Sequence, residues 1–188
     1  MSKKISCLLL ICITILSCQK DKKQDPFEIS YNRIGKLTNT IKVNQLDSIY
    51  ASDSIVKMSK NSQFLNVSNT IEIYEKGGAK LLTLEPKKEN DPSSVIESIQ
   101  IIDPRYKTVS GLSVDGVFKD IKDNYSITKI NNTLSAAVIF VDSIQASITI
   151  DKKELPSELK FTTDKKIEAS QIPDSATIKH FIINWDAN

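Results

Sequence analysis

The run from Ile144 to Ile150 alternates without a break: Ile144, Ala146, Ile148 and Ile150 share one side and polar residues take the other. A strict two-residue period fits a β-strand that buries one face and wets the other. A chain with several such runs has few options. It must pair them into a sheet with one apolar face and cover that face with something else.

Further runs are present. Residues 126–130 and 135–141 (SAAVIFV) are rich in β-branched side chains, and residues 95–102 (VIESIQII) end at Asp103-Pro104. Residues 178–185 (IKHFIINW) form a last strand after Pro173, and residues 159–162 form a weaker one. Residues 70–85 predict a hairpin in which Ile71 and Ile73 alternate, Gly77-Gly78 turns the chain and residues 79–84 return.

Two short helices are expected between the strands. Thr40 is placed to cap residues 41–51, with Val43, Leu46 and Tyr50 on one face, and Asp115 to cap residues 116–124, with Phe118, Ile121 and Tyr125 on one face. The two sets superpose at an offset of 75 residues, and Gly35 and Gly111 precede them at nearly the same distance. A unit of one helix followed by strands, used twice, is the expected organisation. The fold class is therefore α+β, mainly antiparallel sheet with a few short helices, with candidate repeats over residues 35–103 and 111–188. Such an arrangement is similar to tandem-repeat β-lactamase-inhibitor proteins and to small outer-membrane assembly lipoproteins. Those families carry an extra helix per unit, and some carry disulfides; neither is visible in this chain. A domain of about 160 residues buries roughly 70% of its unfolded surface and needs no metal or disulfide to fold.

The N-terminus is built for export. Lys3 and Lys4 precede twelve uncharged residues, Ile5 to Leu16. That is short of the roughly 20 apolar residues a membrane span needs, and it suits the central region of a secretory signal. The run ends in Ile15-Leu16-Ser17-Cys18, which resembles the lipobox of bacterial lipoproteins. The resemblance implies that the Cys18 thiol is acylated with diacylglycerol and that the chain is cut between Ser17 and Cys18. Residues 1–17 are then the signal peptide, 18–28 a flexible tether (QKDKKQD is too polar to pack) and 29–188 a single α+β domain. Gln19 after the cysteine, by analogy with enteric lipoproteins, favours the outer membrane, and the periplasmic leaflet is preferred over the cell surface. Surface-exported lipoproteins of the Bacteroidota carry an acidic signal here, whereas this tether has Lys20, Lys22 and Lys23 against Asp21 and Asp25. The chain also resembles small uncharacterised envelope lipoproteins of that phylum. Four Asp-Ser-aliphatic or Asp-Ser-Ala tripeptides resemble its O-glycosylation acceptor, and Ser54 and Ser175 fall in expected loops.

Cleavage removes several chemistries. Cys7 and Cys12 go with the signal and Cys18 takes the lipid, so the mature chain has no free thiol and no disulfide partner. Loss of Lys3 and Lys4 leaves 23 basic against 23 acidic residues, without the basic excess of a nucleic-acid binder. His180 is the only histidine, too few for the usual zinc site, and no glycine-rich phosphate loop or GxSxG elbow occurs. No cofactor or metal is expected. Glu72, Asp142, Asp151 and Glu154 are candidate carboxylates, better read as solvated charges on an antiparallel sheet. Asp120, Asp123 and Asn124 lack calcium-loop spacing.

Asp103-Pro104-Arg105-Tyr106-Lys107 is the candidate binding segment. It is a polar loop with one of two arginines, and Arg and Tyr are favoured at interface centres. Trp185 is a strand-end core contact. The expected function is a lipid-anchored envelope module that binds or assembles without catalysis. Its partners are the membrane, through the lipid on Cys18, and an envelope protein or glycan. An inhibitor or immunity-type protein is the alternative, and an unrecognised glycan-acting enzyme comes third.

Overall fold

The computed structural model describes residues 24–58 and 69–185. Ser17 and Cys18 lie outside the described residues. The elements in chain order are β1 (Glu28–Ser30), β2 (Arg33–Ile34), β3 (Leu37–Thr38), α1 (Leu46–Ile49), β4 (Ser54–Lys57), β5 (Ile71–Tyr74), β6 (Lys80–Pro86), β7 (Ile96–Ile101), β8 (Lys107–Thr108), α2 (Phe118–Asn124), β9 (Lys129–Asn132), β10 (Ala136–Val141), β11 (Ala146–Asp151), α3 (Ser157–Lys160) and β12 (Ile178–Asn184). Eight strands form one antiparallel sheet in the order β4-β5-β6-β7-β12-β11-β10-β9, and a small sheet runs β3-β2-β1-β8. The class is α+β.

Alternation decides which side of the large sheet is buried. One register row crosses all eight strands as Ile55, Ile73, Leu82, Ile101, Phe181, Ile148, Ile139 and Ile130. Its inner members are fully buried. Each such side chain gains about 1.5–3 kcal/mol on leaving water, before entropy is charged against it. The cover is supplied by Leu46 and Tyr50 around α1, Phe118 and Ile121 of α2, Leu159 of α3, and Ile29, Ile34 and Leu37 of the small sheet, all in one cluster with the strands. No helix among the described residues is long and apolar enough to cross a membrane.

The large sheet and the helices that lead into it repeat one arrangement twice. Each half runs from a helix into a four-strand meander, β4 to β7 and β9 to β12, and the two last strands pair antiparallel at the centre. The symmetry extends to individual hydrogen bonds. Val43 N donates to Ser94 O at 3.0 Å and Asn44 N to Pro92 O at 2.9 Å; Phe118 N donates to Ala176 O at 2.8 Å and Lys119 N to Asp174 O at 3.0 Å. Lys42 bridges Val95 in one half, and Val117 bridges Thr177 in the other. The Gln100–Ile182 pair sits at the middle of the β7–β12 register, where a two-fold operation exchanges the flanking pairs Phe181–Ile101 and Ile183–Ile99.

The bridges explain why the helices begin later than Thr40 and Asp115 suggest. Lys42 and Val117 are held extended at the helix starts. The side chains of Gln45 and Asp120 reach back to their backbone N–H groups at 2.9 Å each. Thr40 instead meets Thr38, and Asp115 accepts from Ser113. Three further expectations are corrected. Residues 159–162 are not a strand: Pro156 sets up a helical turn and Leu159 faces the core. Ile144 lies in a 3-10 turn, so the alternating strand starts at Ala146, and β9 begins at Lys129 rather than residue 126. The tether also ends earlier than residue 28, since Phe27 packs edge-on to Tyr106 and Glu28 opens β1.

Candidate binding site

The Asp103–Lys107 segment is a staple rather than a contact surface. Arg105 donates from Nε and Nη2 to the Asp103 carboxylate at 3.0 and 2.8 Å, and from Nη1 and Nη2 to Glu75 at 3.0 Å each. Its guanidinium also lies 4.5 Å from the centre of the Phe27 ring. Arg105 holds the Asp103 carboxyl below the usual carboxylate range, chiefly through these hydrogen bonds. Tyr106 is only 2% exposed, and burial pushes its phenol up to about 12. Lys107 pairs with Glu28 in the small sheet. Asp103, Arg105 and Tyr106 are engaged in fixing the N-terminal strands to the domain, while the Lys107 side chain stays exposed.

Most of the other candidate acids are committed in the same way. Glu72 accepts from Lys80 and, at 2.6 Å, from Tyr74, and these bonds keep its carboxyl low. Asp142 accepts from Thr128 at 2.9 Å. Asp151 takes Lys153 N at 3.0 Å and Lys179 at 2.9 Å, which lowers it. Asp123 pairs with Lys119 at 2.5 Å, and Asn124 bonds back to Asp120 O. Glu154 sits in the 3-10 turn after β11. His180 Nδ1 lies 3.1 Å from the Gln100 side chain on the sheet. Trp185 is buried at the end of β12. Ser54 is exposed, in β4 rather than a loop, and Ser175 is exposed in a turn.

What the sheet leaves open is its second face. The row Val56, Glu72, Thr83, Gln100, Ile182, Ser147, Phe140 and Lys129 crosses all eight strands on that side. From Thr83 to Phe140 every member is half-buried and none carries a formal charge. Next to it lie His180, Thr149, Val138 and Asn131, also in register. Charge lies around this centre: the Glu72–Lys80 pair and Lys129 near the ends of the row, Glu85 two residues beyond Thr83 on β6, and the Asp151–Lys179 pair at the far ends of β11 and β12. Depletion of charge at the centre with aromatic and amide groups present is the composition of an interface core.

A pocket of about 330 Å³ opens at the β10–β11 corner of this face, lined by Tyr31, Val138, Phe140, Asp142, Gln145, Ala146, Ser147 and Asn184. A second cavity, about 370 Å³, lies beside α1, where Lys57 pairs with Asp47 at 3.2 Å. Of the residues at the β10–β11 corner, only Asp142 stands out in the sequence, as a candidate carboxylate. The available signal was a glutamine placed between two alternating runs, where a turn residue is expected.

No protein-family model matches the chain, and no curated protein matches it in sequence. The crystal structure of the uncharacterized protein yfeY from Escherichia coli is similar in structure, at 12% identity and a TM-score of 0.47, over 84% of this chain and 97% of that one.

Proposed function

We propose that this chain is a lipid-anchored lipoprotein of the bacterial envelope that works by binding, with the open face of the eight-stranded sheet as its contact surface. The observation that carries the reading is the contrast between the two sides of the domain. Glu72, Asp142, Asp151 and His180 are tied into ion pairs and hydrogen bonds, while the open face offers a charge-poor, half-buried centre. Binding surfaces need that combination, and catalysis needs free acids and bases with matched pKa values.

The lipobox supports the anchor. Phe27 is packed nine residues after Cys18, so an extended tether reaches roughly 30 Å at most. The domain then stays at the membrane, on the periplasmic side of the outer membrane by the reading of Gln19. A short tether raises the local concentration of any partner in the same envelope.

Intact-mass measurement and metabolic labelling with palmitate test the anchor together. The native chain is expected to begin at Cys18 and to carry the lipid mass and the label. Cys18→Ala is expected to lose the label and to escape cleavage between residues 17 and 18. A native chain that begins at another residue, or a Cys18→Ala form that keeps its label, overturns the lipoprotein assignment.

A further inference from the structure

The two meanders correspond strand for strand; besides the α3 segment, which lies between β11 and β12 and has no counterpart between β6 and β7, they differ at one corner. Ile102 N donates to Leu81 O at 3.1 Å in the first half, and Asn184 N donates to Gln145 O at 2.8 Å at the equivalent place in the second. Leu81 is buried, and it lines the same small cavity as Phe27 and Tyr106. Its counterpart Gln145 is also buried, 8% exposed, in a left-handed turn with φ 54°, and its Oε1 has no hydrogen-bond partner. A polar atom left unpaired inside a protein is destabilising, because it has given up water and gained no partner. A leucine at this place, as in the first half, would avoid that cost.

The surroundings of Gln145 differ in the same sense. In the first half the open face next to this corner is closed by Glu72, Tyr74 and Lys80, bonded to one another. In the second half Phe140 and Asp142 stand at the positions of Glu72 and Tyr74, and the pocket opens between them and Tyr31, which is 56% exposed. Asn184 donates to Ser147 Oγ at 3.0 Å on its floor.

We propose that this pocket binds one or two sugar units of a neutral glycan, with a ring against Tyr31 and Phe140 and its hydroxyl or acetamido groups on Gln145, Ser147 and Asn184. The electron-rich face of an aromatic ring attracts the polarised C–H groups of a sugar. Side-chain amides supply both a donor and an acceptor, as hydroxyls require, and turning the terminal amide of Gln145 presents either atom. The volume is at the lower end of small-ligand sites. Charge argues against an anionic ligand: the lining holds the Asp142 carboxylate and no basic residue, and the nearby Lys129 is engaged over the Phe140 ring, 5.8 Å from its centre. Peptide recognition by strand addition is also disfavoured, because the β10, β11 and β12 backbones are already paired on both sides. The assignment deepens the open-face reading by naming its ligand class.

Saturation-transfer NMR on the purified full chain in a sugar-free detergent tests it, with chitotetraose and maltotetraose as probes. At least one probe is expected to show transfer concentrated on its ring C–H protons. Tyr31→Ala is expected to weaken binding about tenfold, or 1.4 kcal/mol. Gln145→Leu, which removes the amide, is expected to abolish binding, with a cooperative melt confirming that the variant is folded. Absence of transfer from both probes at millimolar concentration, or equal affinity in the native protein and both variants, overturns the glycan assignment. A protein that binds neither probe yet shields its open face in the envelope would leave the binding-face reading standing and refute only this ligand class.

Discussion

Phe181→Ala is expected to cost about 3–5 kcal/mol of stability, the range for truncating a buried aromatic ring. Phe181 is fully buried on β12 and faces Ile101 on one side and Ile148 on the other, at the seam where the two halves share a sheet. The surrounding isoleucines are held by the ladder and cannot collapse into the space, so the cavity remains. Stabilities of natural domains lie near 5–15 kcal/mol, so the loss is a large fraction of the total. Urea melts followed by far-ultraviolet dichroism and by Trp185 fluorescence check it. One coincident transition at lower urea is expected, because the halves have no separate cores. Two separated transitions, or a loss below about 1 kcal/mol, would contradict a shared core.

Gly35→Ala is expected to cost about 3 kcal/mol or more. Gly35 has φ 52° in the turn between β2 and β3. A Cβ there would overlap the Pro26 carbonyl oxygen and press on the Tyr106 ring. The conformation alone costs an L-residue about 1–2 kcal/mol, and the obstacle is backbone, which cannot swing aside. The damage should spread through the Phe27–Tyr106–Arg105 packing, with increased amide exchange in β1 to β3 as its signature. Gly77→Ala is the control: φ is 69° there but the space around it is open, so only the conformational cost of about 1–2 kcal/mol is expected. Equal losses at the two glycines would contradict the packing around Pro26.

The sheet was legible because its period is local. Ala146, Ile148 and Ile150 alternate in sequence and line one face in space, and the Gly77-Gly78 turn needs no distant partner to be recognised. The duplication was visible too, since helix stripes at Val43, Leu46, Tyr50 and at Phe118, Ile121, Tyr125 keep their spacing whatever surrounds them. Long-range decisions were not visible. The helix starts are fixed by bridges to Val95 and Thr177, half a domain away. Strands of two or three residues, such as Arg33–Ile34, are too short to show a period. Tyr106 and Arg105 have the composition of a binding loop, and only their neighbours Phe27, Asp103 and Glu75 reveal a staple. Gln145 became informative only beside Leu81, through an equivalence that the register defines and the residue types conceal.

Cysteine accessibility in the intact envelope tests the account most directly, since no cysteine follows Cys18 in the sequence. Single cysteines at Ser147 and Ile182 report the open face; Ser48 on α1 and Asp123 on α2 report the covered side. Each is labelled with a maleimide in envelopes and again in purified protein. The open-face positions are expected to react about tenfold more slowly in the envelope than in the purified protein, while the helical positions react alike in both. Equal rates at all four positions, or protection of the helical side alone, would contradict a working surface on the open face of the sheet.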